Sequence, residues 1–361
     1  MKVSFVDYAG NYLEIKNEID AAVQDCLSSG NLILHEEVER FEENLKNYLG
    51  VSYAVAVHSG TDALILSLVA AGIGRGDQVI TSSHTFWATI EAIKHVGAEP
   101  ILTDIDEIKN NGLMGTSAIH ALSEKTKAII PVHIAGDMVN PQIIDVIRNL
   151  CKERYDHDLI IIEDAAQALG ARIGGIKAGT SGLTGCFSFY PAKILGTYGD
   201  GGAVITNDED IYNRIKALRN HGGKPNPLYV GYNSRLDNIQ AAILNVKFKY
   251  LDKYIAQRKQ IALMYNMGLG DIAELILPAS REGRVYQDYI IHTIKREDLL
   301  AFLKTEGIET MPDKYPFMSD FKKPIFCNLW EDTGLRLPIH PLLTDDQIQY
   351  VIKTIRRFFA Q

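Results

Sequence analysis

The apolar run LIIIED, at residues 159–164, predicts a strand that is buried on both faces of a sheet and ends in two carboxylates. Four further β-rich runs precede it along the chain: SYAVAV (52–57), QVITS (78–82), PILTD (100–104) and AIIPV (128–132). Stretches of helical length separate these runs. Because strands that alternate with helices form parallel sheets covered on both faces, the sequence predicts an α/β protein with three layers, α/β/α, around a mostly parallel sheet.

Other segments extend this pattern on either side. The segment EEVERFEENLKNYLG, at 36–50, has four apolar residues at helical spacing, namely Val38, Phe41, Leu45 and Leu49. Two apolar runs, CFSFY (186–190) and GAVITN (202–207), are separated only by a glycine-rich loop. They predict a pair of strands that meet near the sheet.

The C-terminal third predicts a second, smaller unit. A long helical pattern begins at about Leu236 and leads away from the sheet. A chain of 361 residues is long enough for one large domain and a smaller one. We therefore predict a large domain over residues 1–250, with the N-terminal segment, and a small C-terminal α/β domain over residues 251–361.

Composition excludes several classes of function. The net charge is −8 and no basic cluster is visible, which argues against a nucleic-acid partner. The four cysteines are scattered, which is typical of a reduced compartment. The N-terminus lacks the pattern of a signal peptide, and the apolar segment 63–73 is far shorter than the ~20 residues that span a membrane. We expect a cytoplasmic protein without a membrane partner.

The end of the first strand could bind a phosphate. The sequence His58-Ser59-Gly60-Thr61-Asp62 leads directly into an apolar helix. The first N–H groups of a helix are unpaired and lie at the positive end of its dipole, so they can hold an anion without lysine or arginine. An ordinary helix cap by Ser59 or Thr61 explains the same residues.

The end of the second strand carries two adjacent aromatic residues, Phe86 and Trp87. At the carboxyl edge of a parallel sheet they could stack on a flat ligand. Large apolar side chains are more often part of the core, so both interpretations stay open.

The carboxylates that close the strand at 159–164 need a charged partner if they are buried. For Asp164, a protonated pyridine nitrogen would be such a partner, and Gln167 could then reach a phenolic oxygen on the same ring. A helix cap or a buried ion pair with Arg172 is the alternative.

The most specific segment is FSFYPAKILG at 187–196, followed by YGDGG at 198–202. Its lysine, Lys193, lies in a compact, apolar turn bounded by glycines. Partial desolvation lowers the pKa of a lysine and makes the free amine available to attack an aldehyde. Most lysines are solvated surface charges, but these surroundings favour a reactive amine.

Together these residues resemble the sugar aminotransferases named after DegT, DnrJ, EryC1 and StrS, which use pyridoxal 5'-phosphate (PLP) and have the fold of aspartate aminotransferase. The resemblance runs from SGNLILHEEVERFEENLKNYLGV at 29–51 to LRLPIHPLLTDDQIQYV at 335–351, with every block in the same order. It implies a PLP-dependent transferase fold and an enzyme that needs no metal.

The resemblance also implies a role for each candidate residue. Lys193 would carry PLP as a Schiff base and move protons, and Asp164 would pair with the pyridine nitrogen. Gln167 would bond the phenolic oxygen and Phe86 would stack on the ring. The phosphate would be held by Gly60, Thr61 and Ser188 and, from the neighbouring subunit, by Asn233. The active unit would then be a homodimer with shared sites.

By the same resemblance, the amino group passes from L-glutamate to a keto-sugar nucleotide, linked to UDP or dTDP, for amino-sugar and surface-polysaccharide biosynthesis such as that of lipopolysaccharide O-antigen. Tyr190 before Pro-Ala-Lys and Tyr-Gly-Asp-Gly-Gly after it are more similar to members that aminate C3 than to those that act at C4. Two positions depart from the usual pattern, His35 and Trp87. We expect both to affect the sugar pocket rather than the cofactor site.

Rival functions fit less well. Dehydratases of the same family replace the lysine by histidine, whereas Lys193 is present. The glycines of GIGRG at 72–76 follow a helix and precede a strand, the reverse of a dinucleotide-binding motif. None of the ten histidines falls in a metal-binding motif. A non-catalytic sugar sensor built on the same fold is the remaining alternative.

Overall fold

The computed structural model describes residues 1–105, 112–315 and 324–360. The strands are β1 (Tyr53–Val57), β2 (Gln78–Ser82), β3 (Glu99–Thr103), β4 (Thr126–Ile130), β5 (Ile160–Asp164), β6 (Arg172–Ile173), β7 (Ile176–Lys177), β8 (Thr184–Ser188), β9 (Gly202–Thr206), β10 (Tyr289–His292), β11 (Met311–Pro312) and β12 (Gly334–Leu337). The helices are α1 (Tyr8–Glu14), α2 (Lys16–Ser29), α3 (Glu36–Leu49), α4 (Gly60–Ala70), α5 (Ala88–His95), α6 (Ser117–His120), α7 (Pro141–Tyr155), α8 (Glu209–Leu218), α9 (Asn238–Phe248), α10 (Leu251–Leu269), α11 (Arg296–Thr305), α12 (Ile325–Thr333) and α13 (Asp345–Phe359).

Within the described residues, seven strands form one sheet in the order β1-β9-β8-β5-β4-β2-β3. The pairs β8–β5, β5–β4, β4–β2 and β2–β3 are parallel. Strand β9 is antiparallel to both β1 and β8, so it alone reverses the direction of the sheet. The predicted mostly parallel sheet is confirmed, as is the predicted strand pair β8 and β9.

Helices cover both faces of this sheet. On one face Val55 and Val57 of β1 pack in a cluster with α4, α5 and α8. On the other face Ala54 and Ala56 pack with α3 and α9, and α7 covers the strands farther along. Side chains of consecutive strand residues point to opposite faces, and both sets here are apolar. The three-layer α/β/α arrangement therefore follows from strands that are buried on both sides.

Helix α3 has the amphipathic face that its sequence predicts. Its four apolar residues are all buried: Val38, Phe41, Leu45 and Leu49. The helix ends at Gly50, whose φ of 76° is the left-handed conformation that glycine adopts without strain.

A second sheet, β10-β12-β11, belongs to the C-terminal part of the chain. It shares an apolar cluster with α10, α11 and α13, and Val3 from the N-terminus packs in the same cluster. The amide of Val3 donates to the carbonyl of Gly307 at 2.9 Å, so the first residues cross to the C-terminal part. The domain boundary at 250/251 stays a prediction.

The long helical pattern from Leu236 is interrupted in the structure. Helix α9 ends at Phe248 and α10 begins at Leu251. Between them the amides of Lys249 and Tyr250 donate to carbonyls three residues earlier, which tightens the chain and turns it. Apolar periodicity continues across the turn because each helix buries apolar residues next to it, Val246 in α9 and Leu251 in α10.

Two negative findings concern the described part of the chain only. No helix there is long and apolar enough to span a membrane. No group of three or more His, Cys, Asp or Glu side chains there is arranged to hold a metal ion.

Candidate active site

A cavity of about 660 Å³ lies at the carboxyl edge of the large sheet, where the C-terminal part of the chain faces it. This is the edge at which open parallel sheets bind ligands. Seven of the eight residues predicted from the sequence line it: Gly60, Thr61, Phe86, Asp164, Gln167, Ser188 and Lys193. The structure therefore brings together side chains from four different strand ends.

Lys193 lies in the loop between β8 and β9, and its backbone is fixed on both sides. Its own amide donates to the carbonyl of Tyr190 at 2.8 Å. The side chain of Gln287 accepts from the amide of Ile194 at 3.0 Å and donates to the carbonyl of Ala192 at 2.8 Å. The loop is thus held from the C-terminal part of the chain, which orients the lysine toward the cavity.

Burial lowers the pKa of Lys193, while the carboxylates of Asp288 and then Asp164 oppose this shift. Desolvation disfavours the charged amine, which increases the fraction of free base at a given pH. Among the described residues, no side chain forms a hydrogen bond with the amine. It is therefore available to a ligand in the cavity.

The two carboxylates at the end of β5 have different surroundings. Asp164 faces the cavity, and its Oδ2 accepts a hydrogen bond from the hydroxyl of Thr89 at 2.8 Å. Its Oδ1 accepts from the amide of Ala166 at 3.2 Å. These bonds fix the orientation of a carboxylate that is only 6% exposed.

Glu163 points to the opposite side of the strand and is fully buried. It accepts hydrogen bonds from three backbone amides, those of Gly179 at 3.0 Å, Ser181 at 2.6 Å and Gly182 at 2.8 Å. His133 donates a fourth from Nε2 at 2.8 Å, because its Nδ1 accepts from the amide of Val139. Arg172 forms no ion pair with either carboxylate in the described structure, so the alternative of a buried ion pair with Arg172 is wrong.

The side chain of Gln167 is already engaged. Its Oε1 accepts from the amide of Ala135 at 2.8 Å, and its Nε2 donates to the hydroxyl of Tyr315 at 3.1 Å. An Nε2 group has two hydrogens, so one donor is left for a ligand.

The start of α4 combines the two interpretations made from the sequence. The hydroxyl of Ser59 caps the helix by accepting from the amide of Asp62 at 3.1 Å. The amides of Gly60 and Thr61, in the first turn, have no acceptor within the helix. A Cβ on Gly60 would lie 2.8 Å from the Cβ of Ser188. Only glycine lets Ser188 come close to these amides.

The two aromatic residues after β2 are partly exposed and contact each other. Phe86 is 42% exposed and lines the cavity together with Trp87, with 4.3 Å between their ring centroids. An aromatic ring this exposed contributes little to the core, so the observed placement favours contact with a flat ligand.

Asn233 does not line the cavity of its own chain. It is exposed, and its backbone pairs with Asn220 next to the apolar segment 228–232. His35, at the start of α3, is also absent from the cavity wall.

The structure adds a wall of ionisable residues that the sequence did not indicate. Arg258, Asp288, Arg336 and His340 line the cavity from the C-terminal part of the chain. Arg336 donates from Nε to Asp313 at 2.7 Å and lies over the ring of Tyr315. No single stretch of sequence marks these residues as a group, since they come from three separate segments, at 258, 288 and 336–340, that only the tertiary fold brings to Lys193.

Comparisons with known proteins agree with this geometry. The sequence model of the DegT/DnrJ/EryC1/StrS aminotransferase family matches residues 13–356. The chain is 38% identical to a "Pleiotropic regulatory protein" of Geobacillus stearothermophilus, over 99% of both chains. It is 35% identical to the dTDP-3-amino-3,4,6-trideoxy-alpha-D-glucose transaminase of Streptomyces venezuelae, over 99% of this chain and 96% of that one.

A solved structure is similar over the whole chain. The crystal structure of DesV from S. venezuelae superposes with a TM-score of 0.92 at 34% identity, covering 100% of this chain and 99% of that chain. The predicted fold is confirmed by this similarity.

We predict that Glu163→Gln lowers the free energy of unfolding by roughly 2–4 kcal/mol, because the amide leaves buried N–H donors without an acceptor. Urea denaturation of the purified variants measures this change, with the exposed Glu153→Gln as the matched control. Unchanged stability of Glu163→Gln would show that these hydrogen bonds do not hold β5 in place.

Proposed function

Because the chain belongs to the DegT/DnrJ/EryC1/StrS aminotransferase family, we propose that it transfers the amino group of L-glutamate to a keto-sugar nucleotide with PLP as its cofactor. The chain is an aminotransferase, and its named relatives include sugar-nucleotide transaminases. One observation carries the proposal for this chain. The amine of Lys193, with a pKa lowered by burial, lines the same cavity as the fixed carboxylate of Asp164.

The residues present fit PLP. The cofactor has an aldehyde, a basic ring nitrogen, a phenolic oxygen, a flat face and a phosphate. The cavity offers a free amine at Lys193, a buried carboxylate at Asp164, a remaining donor at Gln167 and an exposed ring at Phe86. Unpaired amides at Gly60 and its neighbour suit the phosphate, with the hydroxyl of Ser188 beside them. A volume of about 660 Å³ also leaves room for a substrate.

When bound, PLP supplies an aldehyde that takes up amines and a ring that accepts the electrons released when a carbon–hydrogen bond breaks. Asp164 would hold the proton on the ring nitrogen, because its fixed, buried carboxylate favours a positive charge there. Lys193 would first hold the cofactor covalently. Its freed Nζ would then take the proton from the α-carbon of glutamate and deliver it to the cofactor carbon.

In the second half-reaction the same residues would act in reverse order on the keto sugar. Lys193 would return a proton to the sugar carbon that receives the nitrogen, and Asp164 would keep the ring protonated throughout. The two half-reactions share one site, so we expect ping-pong kinetics.

C3 of a dTDP- or UDP-linked sugar is the position we propose for amination. The residues around the lysine, Tyr190 and the Tyr-Gly-Asp-Gly-Gly run, support it, and a relative named for a 3-amino sugar does too. The product would serve amino-sugar and surface-polysaccharide biosynthesis in the cytoplasm.

A homodimer would complete the phosphate site. Next to the exposed Asn233 lie two apolar side chains that are almost fully exposed, Leu228 at 79% and Val230 at 96%. A contiguous exposed apolar segment of this kind is typical of a protein interface. We propose that this segment packs on a second copy of the chain and carries Asn233 to the partner's cavity.

The name of the Geobacillus relative motivates one rival, a regulator without catalytic activity. A sensor would need to bind the sugar nucleotide but would not need a free lysine amine. The presence of Lys193 in the cavity therefore favours the enzyme.

We predict that Lys193→Ala loses amino transfer by a factor of at least about 10³, because the variant lacks both the covalent attachment and the proton carrier. Single-turnover formation of pyridoxamine phosphate from glutamate measures the loss. The exposed Lys259→Ala serves as control and should react at the rate of the wild type. Unimpaired turnover in Lys193→Ala would refute the assignment.

A panel of dTDP- and UDP-linked 3-keto and 4-keto sugars, scored by product mass with glutamate as donor, tests the substrate. We expect a mass shift for a 3-keto sugar. Amination of 4-keto sugars alone would contradict the C3 assignment, and binding without any amination would favour the regulator.

A further inference from the structure

Asp288 is a buried carboxylate without a partner. It is 8% exposed, immediately precedes β10 and lines the cavity together with Lys193. Within the described residues it forms no hydrogen bond and no ion pair. Burying an unpaired carboxylate is costly, so a group that reaches it during function would offset that cost.

The two neighbouring arginines interact with Asp288 through their charge, while the hydrogen bonds that the described structure gives them go to other groups. The guanidinium of Arg258 donates to the carbonyls of Tyr286 at 3.1 Å and Gln287 at 3.2 Å. The guanidinium of Arg336 is bound by Asp313. Of these cations, the amine of Lys193 is the one that forms no hydrogen bond in the described structure, and it also lies within electrostatic reach of Asp288.

The backbone around Asp288 is tied to the lysine loop. Its neighbour Gln287 bridges the carbonyl of Ala192 and the amide of Ile194, the residues on either side of Lys193. This bridge fixes the separation between the loop and the start of β10. A carboxylate placed there acts on the lysine from a constant position.

The charges that face the lysine support the same pairing. Burial lowers the pKa of Lys193, Asp288 opposes that effect more strongly than Asp164, and Arg336 adds to it. Asp288 is thus the largest favourable charge on the amine, although Asp164 lies at the end of the central strand.

We propose that Asp288 is a positioning residue whose carboxylate is the counter-charge of the Lys193 nitrogen. It stabilises the positive charge on that nitrogen both when the nitrogen is joined to PLP as an imine and when the freed amine holds the proton from the donor's α-carbon. The inference rests on the proposed function, since it requires that Lys193 carries PLP.

The test is a spectroscopic pH titration of the holoenzyme. The absorbance of the Lys193–PLP imine near neutral pH reports protonation of the imine nitrogen and does not depend on turnover. We expect Asp288→Asn to lower the pKa of the imine by about one unit, because it removes a buried negative charge next to that nitrogen. Asp288→Glu keeps the negative charge, so the pKa of its imine should stay close to that of the wild type.

Asp298→Asn is the matched control, since it makes the same charge change at an exposed position of the C-terminal part. Thermal unfolding of the apo-proteins checks the fold. If Asp288→Asn does not bind PLP, Asp288→Ser is titrated in its place with the same expected shift.

The outcomes separate this inference from the proposed function. An unchanged imine titration in Asp288→Asn would overturn the inference alone. If that unchanged titration came with a raised KM for the keto sugar, Asp288 would bind the substrate instead of acting on the Lys193 nitrogen. A wild-type protein that forms no imine with PLP would overturn the proposed function and the inference with it.

Discussion

Burial of one amine at the edge of the sheet is the constraint on which the site depends. Desolvation disfavours the charged form of Lys193, and the carboxylates of Asp288 and Asp164 limit that effect. A fully solvated lysine would be a poor nucleophile at neutral pH, and a buried lysine without nearby carboxylates could not easily hold a proton. The balance between these opposing contributions suits a group that must both attack a carbonyl and carry a proton.

The fold supplies this balance through the geometry of its parallel strands. The ends of β1, β2, β5 and β8 lie at one edge of the sheet, so the amides of α4, the ring of Phe86, the carboxylate of Asp164 and the hydroxyl of Ser188 meet around one cavity. Glu163 makes the arrangement possible from the other side of β5. By accepting three backbone amides and His133, it ties the segment 179–182 to the strand that presents Asp164.

Much of this was predictable from the sequence because the signals are local. A run such as LIIIED specifies a doubly buried strand by itself, and its observed counterpart, Ile160–Asp164, differs by one residue. The candidate site residues directly follow these strands in the chain, so their position at the strand ends was predictable as well. The charged wall of Arg258, Asp288 and Arg336 was not predictable, because it is assembled from segments far apart in sequence. The break between α9 and α10 was missed because apolar residues at helical spacing are buried on both sides of the turn, so the periodicity continues from one helix into the next.

The covalent bond to Lys193 is the central claim, and borohydride reduction followed by peptide mass spectrometry tests it most directly. The wild-type protein, mixed with PLP and reduced, should carry a single pyridoxyl group on the peptide that contains Lys193. An unmodified protein, or a pyridoxyl group on a different lysine, would contradict the account.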